Sequence, residues 1–138
     1  MDQLFEFVSN HYILVALFVV LLFVFFINEG KQGGAAISTS NLVTLVNREG
    51  AVILDVRDSK EFGAGHIAGA VNIPHTAIDS RVGEIAAYKK KPVVLVCKMG
   101  QHSSGVGRKL KTQGFVYVRR LSGGMAEWSA SNLPLVKA

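Results

Sequence analysis

The chain has 138 residues, 49% of them hydrophobic, with fifteen Lys and Arg against ten Asp and Glu and a formal net charge of +5. This length accommodates one ordinary domain. The single cysteine excludes a disulfide framework, a C-x-x-C redox pair and a cysteine-rich zinc site, and we expect no metal or other cofactor. The basic residues are scattered, with residues 89–91 as their only run, which argues against nucleic acid as a partner.

An apolar segment near the N-terminus is long enough to cross a bilayer. Residues 7–27 carry no charged side chain, and residues 13–27 are entirely apolar. As a helix, residues 7–27 extend over about 30 Å, the thickness of the hydrocarbon core. A cleaved signal peptide would need a basic start, whereas Asp2 and Glu6 precede the segment, and a buried core helix would still show water a polar face. We therefore predict a transmembrane anchor within residues 1–28 that contacts the lipid bilayer through residues 7–27.

The distribution of charge predicts how this anchor is oriented. All fifteen Lys and Arg follow residue 30, together with seven of the ten acidic residues. By the positive-inside rule, this excess of basic residues predicts an inner (cytoplasmic) membrane protein whose remaining residues face the cytoplasm. The lone thiol of Cys97 agrees with a reducing compartment.

The remainder of the chain alternates between strand and helix patterns. Residues 29–36 (EGKQGGAA) predict a Gly-rich linker, and residues 37–138 predict one α/β domain. In chain order, the predicted elements are an edge strand at Ile37, a helix capped by residues 38–41 and ended by Gly50, strands at 51–54 and 71–73, a helix at 78–89, a strand at 93–96, a helix at 103–113, a strand at 115–118 and a short helix carrying Trp128. This alternation predicts a central parallel β-sheet flanked by helices on both faces.

Two of the predicted strands end in reactive side chains. Asp55 follows one buried strand and Cys97 the other, and working sites in open α/β sheets lie at the carboxyl ends of strands. The loop after Cys97 is short enough for its backbone N–H groups to converge on the sulfur, and the following helix adds positive potential that favours a nucleophilic thiolate. The alternative is an inert core cysteine. The predicted loop residues are Lys98, Met99, Gly100, Gln101, His102 and Ser103, of which Ser103 is also a candidate helix N-cap together with Ser104.

Three motifs in one order then identify a family. Residues 54–57 (LDVR), residues 61–74 (EFGAGHIAGAVNIP) and residues 121–128 (LSGGMAEW) are similar to the successive signatures of the rhodanese domain. From about Ile37 onwards the chain resembles this sulfurtransferase family, and the added N-terminal helix is similar to that of membrane-anchored, single-domain bacterial members. The resemblance implies a rhodanese-like α/β fold and an enzyme of the thiosulfate sulfurtransferase type.

The resemblance also implies roles for individual residues. Cys97 is the expected nucleophile, which takes sulfur from a small anionic donor such as thiosulfate and holds it as a persulfide. The loop over residues 98–103 is expected to bind the substrate. From the residues themselves, we expect Asp55 and Arg57 to form an ion pair that braces the loop, with an acid/base couple as the alternative. Because no second cysteine is present, the acceptor is an external thiol, cyanide or a protein partner. We expect Trp128 to fill the core.

One position departs from the family pattern. The loop signature usually has Arg where this chain has His102, and an imidazole cannot offer a guanidinium fork to a thiosulfonate. An alternative function is therefore a weakly active or inactive rhodanese-like module that recruits a partner at the membrane. A phosphatase loop would need Arg six residues after the cysteine, where Ser103 stands. His66 is expected to make a structural hydrogen bond, and His75 is assigned no function.

Overall fold

The computed structural model describes residues 1–137, with the side chains of residues 29–32 left out of the description. The chain divides into two compact units, Met1–Lys31 and a second unit that begins at Gln32. The division of the chain into an anchor (1–28), a linker (29–36) and a rhodanese domain (37–138) stays a prediction.

The N-terminal unit contains two helices where one was expected over residues 7–27. Helix α1 covers Asp2–Asn10 and helix α2 covers Tyr12–Gln32, with the break at His11. The break falls in a polar stretch, Ser9 to His11, whose side chains have low helix propensity. Within the described residues, no helix by itself is long and apolar enough to cross a membrane; Asp2–Asn10 and Tyr12–Asn28, bent by 89°, meet the length and composition requirement only as a pair. Membrane anchoring therefore stays a prediction.

The second unit is a five-stranded sheet in which every neighbouring pair is parallel. Its strand order is β1-β5-β4-β2-β3. The strands are β1 (Ala35–Ile37), β2 (Val52–Asp55), β3 (Val71–Asn72), β4 (Val93–Val96) and β5 (Val118–Leu121). The helices are α3 (Thr39–Glu49), α4 (Ser59–Ala64), α5 (Ile78–Arg81), α6 (Ser103–Thr112) and α7 (Gly124–Ala130), with 3₁₀ turns at His75–Ala77 and Val82–Tyr88. The predicted α/β fold with a central parallel sheet is confirmed.

Side chains that alternate along the central strand β4 divide the core between the two faces of the sheet. Val93 and Leu95 belong to a cluster that includes Val106 and Leu110 of α6. Val94 and Val96 belong to a second cluster with residues of α3 and α7, among them Trp128, as expected for a core side chain. Helices thus cover both faces, and an uninterrupted apolar strand is typical of such a buried parallel sheet. Cys97 continues the alternation on the α6 side.

Some predicted bounds differ from the observed ones. The linker predicted at residues 29–36 overlaps the end of α2 and the start of β1, so that only Gly33 and Gly34 lie between these elements. The helix predicted at 78–89 is α for one turn and then 3₁₀, a change that begins next to the poor helix former Gly83. The strand predicted at 115–118 lies at Val118–Leu121 instead, because Phe115 is a core side chain whose N–H donates to the Leu110 carbonyl.

Candidate active site

Strand pairing brings Cys97 and Asp55 to one edge of the sheet. Asp55, the last residue of β2, pairs in register with Val96, the last residue of β4, and Cys97 follows at once. The thiol is free, and Cys97 is only 1% exposed. The two strand-end residues singled out from the sequence therefore lie on neighbouring strands, at the edge where sites in open α/β sheets form.

Two side chains of the loop contact the sulfur of Cys97. The Ser103 hydroxyl donates to Cys97 Sγ at 3.2 Å, and Sγ in turn faces the side-chain oxygen of Gln101 at 3.7 Å. That Gln101 oxygen also accepts the backbone N–H of Met99 at 3.0 Å. Among the hydrogen bonds of the described residues, none joins a backbone N–H of the loop to the sulfur. The expected convergence of N–H groups on Sγ is therefore absent, and the Met99 N–H is bonded to the Gln101 oxygen instead.

Ser103 has a different position from the expected N-cap. It is the first residue of α6 and fully buried, while the N-cap position belongs to His102, which makes no side-chain capping bond. Its hydroxyl points to the sulfur because β4 and α6 belong to the same core cluster and bring Cys97 and the helix start together. Gly100 has φ +93°, a backbone conformation that requires glycine, as expected for the tight loop.

Helix α7 holds the loop in place from its other side. The first turn of a helix leaves backbone N–H groups without partners inside the helix. Two such groups, those of Met125 and Ala126, donate to the carbonyls of Cys97 at 2.8 Å and Lys98 at 2.9 Å. Gly124 permits this approach, because a Cβ at that position would overlap the Cys97 carbonyl oxygen.

The expected ion pair between Asp55 and Arg57 is present. The Arg57 guanidinium donates to both carboxylate oxygens, with a shortest contact of 2.7 Å, and the side chains of Asp55 and Arg57 are 1% and 9% exposed. Arg57 also donates to the Gly65 carbonyl at 2.8 Å, and the Asn72 amide donates to the backbone carbonyls of both Asp55 and Arg57. The Asp55–Arg57 pair therefore connects the end of β2 to the motif at residues 61–74, which is a structural role.

A pocket of about 100 Å³ opens at Cys97. Its lining residues come from three segments of the chain, namely Val56, Arg57, Asp58, Glu61, His75, Cys97, Lys98, Gln101 and His102. The rings of His75 and His102 are stacked, with centroids 3.9 Å apart and planes inclined by 6°. His75, to which no function was assigned from the sequence, thus lines the same pocket as the candidate nucleophile. The only feature of the sequence that could have indicated this location is its position directly after the strand-end motif Asn72–Pro74.

The other predicted residues occupy different places around this pocket. Lys98 and Met99 are exposed on the loop, and Met99 does not line the Cys97 pocket. His66 lies away from it; its Nδ1–H donates to the Phe62 carbonyl at 2.8 Å and its ring stacks on the Phe62 ring, which confirms its structural hydrogen bond. In the part of the chain that the structure describes, no group of three or more His, Cys, Asp or Glu side chains is placed to hold a metal ion.

The fold and the site place the chain in the class of α/β proteins that have a parallel sheet and a cysteine-containing loop between a central strand and a helix. The family model described as "Rhodanese-like domain" matches residues 38–131. The chain therefore belongs to the rhodanese-like family.

Individual relatives agree with this assignment. The uncharacterized protein YibN of Escherichia coli K12 is 33% identical over 141 residues, which cover 99% of this chain and 99% of YibN. The thiosulfate sulfurtransferase GlpE of Shewanella oneidensis is 33% identical over 96 residues, covering 70% of this chain and 93% of GlpE. The rhodanese-like domain of the Anabaena protein Alr3790, solved by NMR, has a TM-score of 0.66 at 26% identity and covers 75% of this chain and 79% of that domain.

Proposed function

We propose that the chain is a membrane-anchored sulfurtransferase that carries sulfane sulfur as a persulfide on Cys97. The observation that carries this proposal is a free thiol at the base of a pocket, at the carboxyl end of β4, in a chain of the rhodanese-like family. The similarity to GlpE, which is named a thiosulfate sulfurtransferase, supports thiosulfate as one donor. We propose an external thiol or cyanide as the acceptor.

The first half of the reaction loads the enzyme. The Cys97 thiolate attacks the outer sulfur of thiosulfate, an S–S bond forms to Sγ, and the S–S bond within thiosulfate breaks, so that sulfite leaves with the bonding electron pair. The product is the Cys97 persulfide, whose outer sulfur carries the negative charge. No oxidant or reductant is required.

Neighbouring groups stabilise the negative charge at each stage. The Ser103 hydroxyl donates to Sγ, and the N-terminus of α6 contributes the positive end of its dipole. The outer sulfur needs a donor of its own, and the Met99 N–H is a loop amide whose hydrogen-bond partner is a side-chain oxygen rather than the backbone. In this mechanism, the Gln101 side chain turns away on loading and the Met99 amide binds the outer sulfur, in the manner of an oxyanion hole.

The second half of the reaction discharges the persulfide. An acceptor thiolate or cyanide attacks the outer sulfur, a bond forms to the acceptor, and the Cys97 thiolate leaves as the S–S bond breaks. Since Cys97 is the only cysteine in the sequence, an internal disulfide cannot form and discharge depends on an external molecule.

The membrane part of the proposal has two supports. The apolar side chains of residues 12–27 are exposed almost without exception, which is typical of a surface that contacts lipid. With the basic residues all following residue 30, we propose that the chain resides in the inner membrane with the rhodanese domain in the cytoplasm.

A recruitment module is the second candidate function, favoured by His102 in place of the usual arginine. Intact-mass measurement separates the two. We expect the full-length chain to gain one sulfur atom after treatment with thiosulfate, to lose it on addition of cyanide, and to gain none when Cys97→Ser is substituted. Absence of sulfur uptake from both thiosulfate and a small organic persulfide would contradict the sulfurtransferase and leave the recruitment module.

A further inference from the structure

A second pocket adjoins the one at Cys97. It has a volume of about 190 Å³ and is lined by His75, Gln101, His102, Gly105, Val106 and Lys109. His75, Gln101 and His102 line both pockets, so the stacked imidazoles and the Gln101 side chain form a common wall. A ligand larger than thiosulfate that extends past these three side chains would have its sulfur at Cys97 and its remaining atoms beside α6.

Opposite charges line the two pockets. In the Cys97 pocket, Arg57 is neutralised by Asp55, which leaves Asp58 and Glu61 against the single cation Lys98. The Glu61 carboxylate has no hydrogen-bonding or ion-pair partner among the described residues. In the adjoining pocket, Lys109 is the only residue with a full charge, and no acidic side chain lines it.

The charge of Lys109 is available to a ligand. Lys109 Nζ lies 3.1 Å from Asp79, but the two side chains are 48% and 77% exposed. Exposed ion pairs of this kind contribute little stability, so a carboxylate that enters the pocket can displace Asp79 from Lys109. The acidic pair in the Cys97 pocket, by contrast, attracts an ammonium group.

We propose that the two pockets together bind a zwitterionic low-molecular-weight thiol as the sulfur acceptor, with its ammonium group near Asp58 and Glu61 and its carboxylate at Lys109. This inference rests on the proposed function. The acceptor is an amino-acid or short-peptide thiol, because such molecules carry both charged groups; in an extended dipeptide the N-terminal ammonium and the carboxylate are about 7 Å apart. In the transfer, the acceptor thiolate attacks the outer sulfur of the persulfide, and the products are the acceptor persulfide and the Cys97 thiolate.

Three forms of one dipeptide test the two charges separately. The acceptors are cysteinylglycine, its N-acetyl derivative, which lacks the ammonium, and its C-terminal amide, which lacks the carboxylate. The full-length chain is loaded with thiosulfate, and the readout is the ratio of kcat/KM for the amide to that for the N-acetyl form. We expect Glu61→Gln to lower this ratio about fivefold and Lys109→Gln to raise it about fivefold, as each removes one attraction between partly exposed charges.

Matched variants exclude general effects of charge and of the lost ion pair. Glu49→Gln and Lys90→Gln change exposed charges outside both pockets and should leave the ratio unchanged. Lys109→Arg keeps the positive charge and should give the ratio of the unsubstituted chain. Asp79→Asn should lower the ratio, because Lys109 without its partner binds the carboxylate of the N-acetyl form more strongly. Equal ratios in Glu61→Gln, Lys109→Gln and the controls would overturn the inference, as would a rise in Asp79→Asn. A chain that takes up no sulfur fails at the loading step and overturns the proposed function instead.

Discussion

The two side chains that contact the Cys97 sulfur have opposite effects on negative charge there. The Ser103 hydroxyl donates a hydrogen bond to Sγ and stabilises an anionic sulfur. The Gln101 oxygen accepts from the thiol and repels an anion, and it also occupies the Met99 amide. The observed arrangement therefore corresponds to a resting thiol, and sulfur loading requires that the thiol loses its proton and that the exposed Gln101 side chain turns away.

This arrangement predicts the effect of Gln101→Ala. The substitution frees the Met99 N–H and removes a carbonyl oxygen from the sulfur, so the persulfide gains about 1 kcal/mol relative to the thiol. We expect the equilibrium constant for loading from thiosulfate, measured by intact mass at several sulfite concentrations, to rise about fivefold.

The control for this prediction is Gln113→Ala, which removes an exposed glutamine at the end of α6 that lines none of the pockets around the loop. It should leave the loading equilibrium unchanged. A fall in the loading constant of Gln101→Ala would mean that the glutamine amide supports the persulfide rather than competing with it.

At the scale of elements, the active loop depends on helix α7 as much as on the strand that precedes it. The α7 backbone donates to the carbonyls of Cys97 and Lys98, and these bonds require close contact at Gly124, which has φ +59°. Because α7 and β4 share a core cluster, the loop is held between two elements that are themselves fixed by packing. Such support from a neighbouring element positions a nucleophile more accurately than a free loop can.

Gly124→Ala tests this support. The new Cβ overlaps the Cys97 carbonyl and adopts a backbone conformation that alanine disfavours, so α7 must shift away from the loop. We expect a loss of about 1–3 kcal/mol in the free energy of unfolding and a fall of at least tenfold in sulfur transfer.

Gly83→Ala is the matched control, because a Cβ there meets no atom within 4 Å and the backbone has no positive φ. Thermal unfolding and the thiosulfate:cyanide rate are measured on both variants. Unchanged sulfur transfer in Gly124→Ala would show that the loop keeps its geometry without close contact to α7.

At the scale of the whole molecule, the sequence combines a catalytic domain rich in basic residues with an apolar N-terminal segment. Fifteen basic residues follow residue 30, whereas residues 7–27 carry none. If the segment inserts in a bilayer, the domain is confined to the membrane surface, where the concentration of membrane-bound partners is high. Tethering would then contribute to the choice of partner independently of the active site.

Membrane fractionation tests the proposed location. We expect the full-length chain to stay with membranes after an alkaline carbonate wash, and the rhodanese domain to be digested by protease in inside-out vesicles but not in right-side-out ones. Leu21→Arg with Val24→Arg should weaken the association, since each central arginine costs about 2.5–3.5 kcal/mol. Release of the unsubstituted chain by carbonate would contradict an anchor.

Much of the fold was encoded in local patterns. Uninterrupted apolar runs predicted β2 and β4, and Ser38 and Gly50 cap the two ends of α3 as expected. The two central strands also placed Asp55 and Cys97 at a common edge. The bounds of β5 were wrong because Arg119 and Arg120 lie inside it: the Arg119 guanidinium sits 4.2 Å from the Tyr117 ring and Arg120 donates to the Gly34 carbonyl, pairings that no local pattern indicates.

By itself, the sequence determined the class of fold, the family and the candidate nucleophile, because burial, caps and signature motifs are properties of neighbouring residues. Only the tertiary structure decided what surrounds the sulfur. His75 approaches His102 and Met125 reaches the Cys97 carbonyl because the strand order β1-β5-β4-β2-β3 juxtaposes segments distant in sequence. Ser103 points at Sγ because α6 packs with β4 in one core cluster. Contacts of this kind depend on the packing of whole elements, and side-chain directions at loop ends follow from that packing rather than from local propensity.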